Sequence, residues 1–254
     1  ETTETGQAET IESLPLPKIL QPLKRTLTAN QYFKQSFHEL PYSIKMVELG
    51  KLMASQHSVG TGFAGGIAKR LGKKPSAKAL FEFCLPLKRP SPAINVQRLS
   101  DSRYVFTSRS TDFRDHDTEI AKRGDLAFVS SFGPVETGIV IPIGFGSNFL
   151  SAIESEKRIL LQNGYHRAFA LMSLGITHAP MIVQKVTRTD ELDLAASSEV
   201  ADNAAFYFRS KRPPLLKDFL DERLAKKVDI YALETRVEVE LKVKNSTGTI
   251  RRAA

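Results

Sequence analysis

Hydrophobic and polar positions change period along the chain, and each change marks a predicted element. Near the C-terminus Tyr231, Leu233, Val237, Val239, Leu241 and Val243 alternate with charged residues from Glu234 to Lys244, the pattern of a strand with one buried face. Arg158–Gln162 and Ala179–Val186 are instead continuous apolar runs, suited to strands covered on both faces. Between them Asn163-Gly164 forms a turn able to reach positive φ, and Ala168, Leu171 and Met172 recur at helical spacing. Gly175 ends that helix in a left-handed cap. Residues 158–186 therefore read as strand, tight loop, helix, strand.

Upstream, Ile94–Arg109 reads as strand, turn at Ser100-Asp101, strand, while Leu126–Phe132 and Gly138–Ile143 are predicted buried strands on either side of a Gly-Pro turn. Tyr42, Met46, Leu49 and Met53 share one helical face, widened by Leu52, which predicts a helix from Tyr42-Ser43. A second helix is predicted from near Phe63. The glycine-rich QHSVGTGFAGGIAK between them lacks the Gly-Lys-Ser/Thr ending of a phosphate loop and reads as an inter-helix connector or lid. LPLPKILQPLKRTL alternates prolines with aliphatics, predicting an extended strap, and LLKDFLDERLAKKV predicts a short amphipathic helix. The first 14 residues, rich in Thr and Glu, predict a disordered tail. The expected fold is α/β (α+β): a mixed-sheet core over residues 91–190, a helical basic extension over 15–90, and a helix-strand addition over 191–254.

Charge sharpens this picture. The net charge is +8, although four glutamates lie among the first 14 residues, so the body is distinctly basic and suits anionic ligands or polyanions. The densest stretch is 69–109, where Lys69, Arg70, Lys73, Lys74, Lys88 and Arg89, with four further cations, face only Glu82 and Asp101. This predicts a salt-sensitive nucleic-acid surface or a solvated rim. No apolar run is long enough to span a bilayer as a helix, and no secretory pattern opens the chain. A single cysteine, Cys84, excludes an internal disulfide. A cytoplasmic protein is expected, with self-association left open.

Two stretches carry candidate chemistry. His166 and Arg167 fall in the first turn of the predicted helix, where backbone N–H groups and the helix dipole favour an anion such as a phosphate. TDFRDHDTEI gathers acids around His116, with Asp112 and Asp115 as candidate Mg²⁺ ligands or a capped polar loop as the alternative. Gly144–Asn148 is glycine-bearing and suited to closing over a ligand.

Gly164, Tyr165, His166 and Arg167, followed by Leu174, Gly175, Pro180, Ile182 and Val183, resemble the ParB/sulfiredoxin superfamily. Its members share Gly-x-(His/Arg)-Arg at a helix start and a Leu-Gly-x-x-x-x-Pro-x-x-(Val/Ile) return strand. The likeness implies a ParB/sulfiredoxin-like core and a nucleoside triphosphate, ATP or CTP, held with Mg²⁺ by Asn163, Gly164, Tyr165, His166 and Arg167. It further implies hydrolysis or transfer of the phosphate, with His166 stabilising charge and Glu136 as a base like that of related kinases. Sulfiredoxins carry a catalytic Cys directly after the motif Gly, where Tyr165 stands here, which argues against sulfinic acid reduction. Chromosome-partitioning members have Gly-Glu-Arg-Arg and a following helix-turn-helix, a pattern not met here. The alternatives are a DNA- or RNA-binding protein using the 69–109 region, switched by nucleotide or lacking one, and a metal-dependent nuclease.

Overall fold

Strands and helices interleave along the chain, which makes the fold α/β. The computed structural model describes residues 11, 13–88, 91–110, 112–126, 133–231 and 234–248. The chain enters through β1 (Ser13–Pro15) and a 3₁₀ turn, then α1 (Gln21–Ala29) and α2 (Gln31–Ser36). The expected proline strap is thus a strand and a helix. Pro22 sits in the first helical turn, where its missing N–H costs nothing. Asn30 separates the two helices and accepts from the Tyr32 and Phe33 N–H groups. Next come β2 (Tyr42–Glu48), β3 (Met53–Ala54), α3 (Thr61–Leu71) and α4 (Ala77–Cys84). The helix predicted from Tyr42 is strand β2. Its 4-3-4 apolar spacing fits a helix, but β2 is flanked by strands on both sides, and the ladder bonds they supply outweigh the spacing.

Short strands follow: β4 (Asn95–Arg98), β5 (Arg103–Ser108), β6 (Phe113–Asp115), β7 (Glu119–Lys122), β8 (Thr137–Val140) and β9 (Ile143–Phe145). The strand predicted for Leu126–Phe132 lies outside the described residues except Leu126, which ends a 3₁₀ turn. The single strand predicted over Gly138–Ile143 is interrupted at Ile141-Pro142, where proline has no N–H to donate. Then β10 (Ser151–Ser155), β11 (Arg158–Asn163), α5 (Tyr165–Ser173) and β12 (His178–Lys185) run as predicted from Arg158 onward. Three short helices, α6 (Leu192–Ala195), α7 (Ser198–Asp202) and α8 (Ala204–Arg209), precede the last strand, β13 (Thr235–Glu240). Within LLKDFLDERLAKKV only a 3₁₀ turn, Leu216–Leu220, forms. Its start is held by the edge strand instead: Leu216 N–H donates to Leu52 O at 2.8 Å, and Leu216 is fully buried.

These elements form two compact units, Glu1–Arg89 with Ser147–Val228, and Pro90–Gly146 with Asp229–Ala254. The second unit begins at Pro90, and the sequence predicts a domain start at 91. Residues 147–190, however, group with the N-terminal residues rather than with 91–146.

The first unit is built on a six-stranded mixed sheet in the order β1-β2-β12-β10-β11-β3. β2 pairs antiparallel with β12, setting Ile44 against Ile182 and Val47 against Ala179, and β10 pairs parallel with β12. Successive residues face opposite sides of a strand, which explains the continuous apolar runs. Ala54, Ala152 and Leu161 pack with Phe81, Ala168 and Leu171, whereas Met53, Ile153 and Leu160 pack with Leu192, Val200, Tyr207 and Phe208. Helices therefore cover both faces. In the second unit β13, β5 and β4 make an antiparallel sheet, and β6–β9 and β7–β8 make two ribbons. Val237 and Val239 of β13 are half-buried while Arg236, Glu238 and Glu240 are exposed, as their alternation predicts.

Candidate functional site

The loop Asn163–Arg167 connects β11 to α5, and each of its residues has a distinct task in the first unit. Gly164 is the residue before the helix and takes φ +98°, the left-handed region. A Cβ there would meet Leu150 Cδ1 at 2.5 Å, so space and backbone both require glycine. Asn163 Nδ2 donates to the carbonyls of Ser147 at 2.6 Å and Phe149 at 3.1 Å. Tyr165 is buried; its hydroxyl donates to Leu161 O at 2.7 Å and accepts from Ser55 N–H at 2.9 Å. Burial raises the Tyr165 pKa above the ordinary tyrosine range.

Arg167, expected as a phosphate ligand, has protein acceptors in this structure. Its guanidinium donates to the carbonyl and side-chain oxygens of Asn148, and at 3.5 Å to Cys84 O. It joins α4, α5 and the segment before β10, which is the work of a cross-brace. Cys84 beside it is buried, and burial pushes its thiol up to about 12, so it is an inert core group.

His166 lies where two helices begin. Gly60 N–H, at the start of α3, donates to His166 Nε2 at 3.0 Å, and Phe63 meets the ring edge-on with centroids 5.3 Å apart. An accepting nitrogen carries no proton, so the ring is neutral with its proton on Nδ1. Burial lowers the His166 pKa, in the same direction. The two helices pack through small residues, Ala64 and Ala68 with Ala170.

Neither α3 nor α5 is capped by a side chain, the preceding residues being Gly60 and Gly164. The first N–H groups of a helix have no intrahelical partner. Those of Thr61, Gly62, Phe63, Tyr165 and His166 meet no acceptor among the described residues. The glycine-rich connector thus places a second helix start beside the first.

Glu136 belongs to the second unit, is exposed, and pairs with Arg123 at 3.3 Å. Asp112 and Asp115 are in that unit too; Asp112 pairs with Arg114 at 2.5 Å, and Asp115 ends β6. Among the described residues no group of three or more His, Cys, Asp or Glu side chains is placed to hold a metal ion. Of the basic candidates, Lys69, Arg70, Lys73, Lys74 and Lys88 are exposed on the first unit, and Arg89 lies outside the described residues. Arg98 and Arg103 belong to the second unit and pair with Asp101 and Glu238, so the 69–109 stretch is divided between the units. Among the described residues no helix is long and apolar enough to cross a membrane.

One cluster had no signal in the sequence. Ser55, Gln56, Gln162, Tyr165, Ser197 and Glu199 line a cavity of about 230 Å³ floored by Ile153, Leu160 and Val200. Glu199 Oε1 lies 3.2 Å from His57 Nε2 and accepts from the Tyr207 hydroxyl at 3.1 Å. These residues come from the segment after β3, from β11, from the start of α5 and from the α6–α8 segment, which only the fold brings together. No protein-family model, curated protein or solved structure matches the chain.

Proposed function

We propose that the first unit binds a nucleoside triphosphate, its phosphates received by the paired starts of α3 and α5. The observation that carries this reading is the set of five backbone N–H groups at the starts of two uncapped helices beside His166, without acceptors among the described residues. Helix-start N–H groups and the positive ends of two helix dipoles can receive a phosphate without a charged side chain. The resemblance of the Gly164–Arg167 loop to ParB/sulfiredoxin-like proteins supports the same ligand. Hydrolysis or transfer of the terminal phosphate is the chemistry proposed, with N–H donors stabilising the charge that develops on its oxygens. Mg²⁺ would arrive with the nucleotide.

Calorimetric titration of ATP, CTP, ADP and GTP with Mg²⁺ tests this, alongside phosphate release. Thr61→Pro removes one N–H at a helical position that tolerates proline. Phe63→Glu sets a carboxylate in the first turn of α3, which favours the helix but repels an anion. Both variants are expected to stay folded and to lose nucleotide affinity, Phe63→Glu by about tenfold or more. Wild-type protein that binds none of the four nucleotides overturns the reading.

A second reading, nucleic-acid binding, is favoured by Lys69, Arg70, Lys73, Lys74 and Lys88, exposed and without ion-pair partners among the described residues. Polynucleotide affinity that falls steeply with added salt would support it, and no binding at low salt would exclude it.

A further inference from the structure

The cavity over Ile153, Leu160 and Val200 carries a single formal charge, and it is negative. Its charged lining residue is Glu199, whose side chain is half exposed and whose Oε2 has no partner among the described residues. Ser197 likewise keeps its hydroxyl unpartnered. Several donors around the cavity already have protein partners. Gln162 Nε2 donates to Ala195 O, the Tyr165 hydroxyl donates to Leu161 O, and Gln56 Nε2 donates to Ser58 O. What remains includes a Glu199 carboxylate oxygen, the Ser197 hydroxyl and the Gln56 amide oxygen, beside one hydrogen on each glutamine amide, and the lining holds one formal negative charge and no cation. A carboxylate set against an apolar floor is best satisfied by a hydrogen-bonding cation. At about 30 Å³ per liquid water, the volume equals that of roughly seven or eight waters, enough for a small metabolite but not a nucleotide.

We infer that this cavity binds a small amine-bearing molecule, its ammonium held by Glu199 and Ser197 and its carbon skeleton lying on Ile153, Leu160 and Val200. The inference is independent of nucleotide binding at the helix starts. Small-molecule sites combine an apolar floor with a few placed polar groups, and this one has both. Its walls are fixed by bonds that do not involve the ligand: Ser151 Oγ donates to Gln162 Oε1 at 3.0 Å, and Ser55 N–H donates to the Tyr165 hydroxyl at 2.9 Å.

The test is an amide NMR titration of the full chain, without nucleotide, using serinol and putrescine as amines and glycerol and butanediol as their neutral counterparts. Saturable shifts are expected at Ser55, Gln56, Ser197 and Glu199 with at least one amine and with neither neutral compound. Glu199→Gln should weaken that binding by about tenfold or more, the usual worth of a charged hydrogen bond. Ala196→Leu, which fills the cavity and leaves the carboxylate in place, should abolish it. The spectrum of each variant reports its own folding. The inference is overturned if neither amine gives saturable shifts, if the neutral counterparts shift the same amides equally, or if both folded variants bind as the wild type does. Because nucleotide is absent, any of these results leaves the calorimetric test of the helix starts standing.

Discussion

At the scale of single residues, Gly164 and Gly175 both take positive φ, +98° and +78°, but only Gly164 is crowded. A Cβ at Gly175 meets nothing within 4 Å, whereas one at Gly164 meets Leu150. Gly175→Ala should therefore cost only the left-handed backbone penalty, about 1–2 kcal/mol. Gly164→Ala adds overpacking of about 1–3 kcal/mol. Urea unfolding of the two variants checks the order. His166 makes a pH prediction. Burial lowers its pKa, so the unfolded chain takes up a proton before the folded one does. Stability drawn from the neutral ring is complete above the unfolded value of about 6.5 and is lost as pH falls through the folded pKa. Urea midpoints should drop as pH falls below about 6.5, and drop less in His166→Gln. Gly164 was legible in the Gly-x-His-Arg loop because turn chemistry is local, whereas the partner of His166, the Gly60 N–H, is distant in sequence and was not. The task of Arg167 was not, since its acceptors, Asn148 and the Cys84 carbonyl, are distant in sequence.

Among the elements, β11, α5 and β12 were readable because a buried strand, a left-handed glycine and a short amphipathic helix each leave a sequence pattern. β2 was not readable. Strands supplied from far along the chain decide its state, and its own spacing points to a helix. The segment Ser147–Leu150 shows how side chains can hold an element that has little periodicity. Asn163 and Arg167 grip its carbonyls, and Leu150 N–H donates to Cys84 O at 2.9 Å. Arg167→Ala should loosen this segment by about 1–3 kcal/mol, the cost of leaving buried acceptors unpaired. Amide hydrogen exchange should quicken at Leu150 by at least about tenfold, with smaller change in the β13–β5 pairing of the second unit.

For the whole molecule, the discontinuous units explain why the expected core over 91–190 divides as it does. Composition changes near Pro90, and that boundary is local. The return at Ser147 is visible only in contacts. The bond from Leu150 N–H to Cys84 O shows that the two ends of the intervening stretch lie close together in the first unit. Replacing residues 90–146 with a short Gly-Ser linker and ending the chain after Val228 should therefore leave a cooperative fold. Its circular dichroism should show the helices of the first unit, and its nucleotide affinity should match that of the full chain.

The pairing of β2 with β12 also sets the timing of biosynthesis. Ile44 and Val47 are translated long before Ile182 and Ala179, their partners. At about 5–20 residues per second, a ribosome takes on the order of ten seconds to make the stretch between them. During that interval β2 can have only β1 beside it, and its other edge is an open template for strands of neighbouring nascent chains. The second unit waits too, because β13 is made long after β4 and β5, whose sheet it joins. Yield in a producing cell is therefore expected to respond to elongation speed as well as to the stability of the finished fold, which a comparison of expression at two temperatures checks.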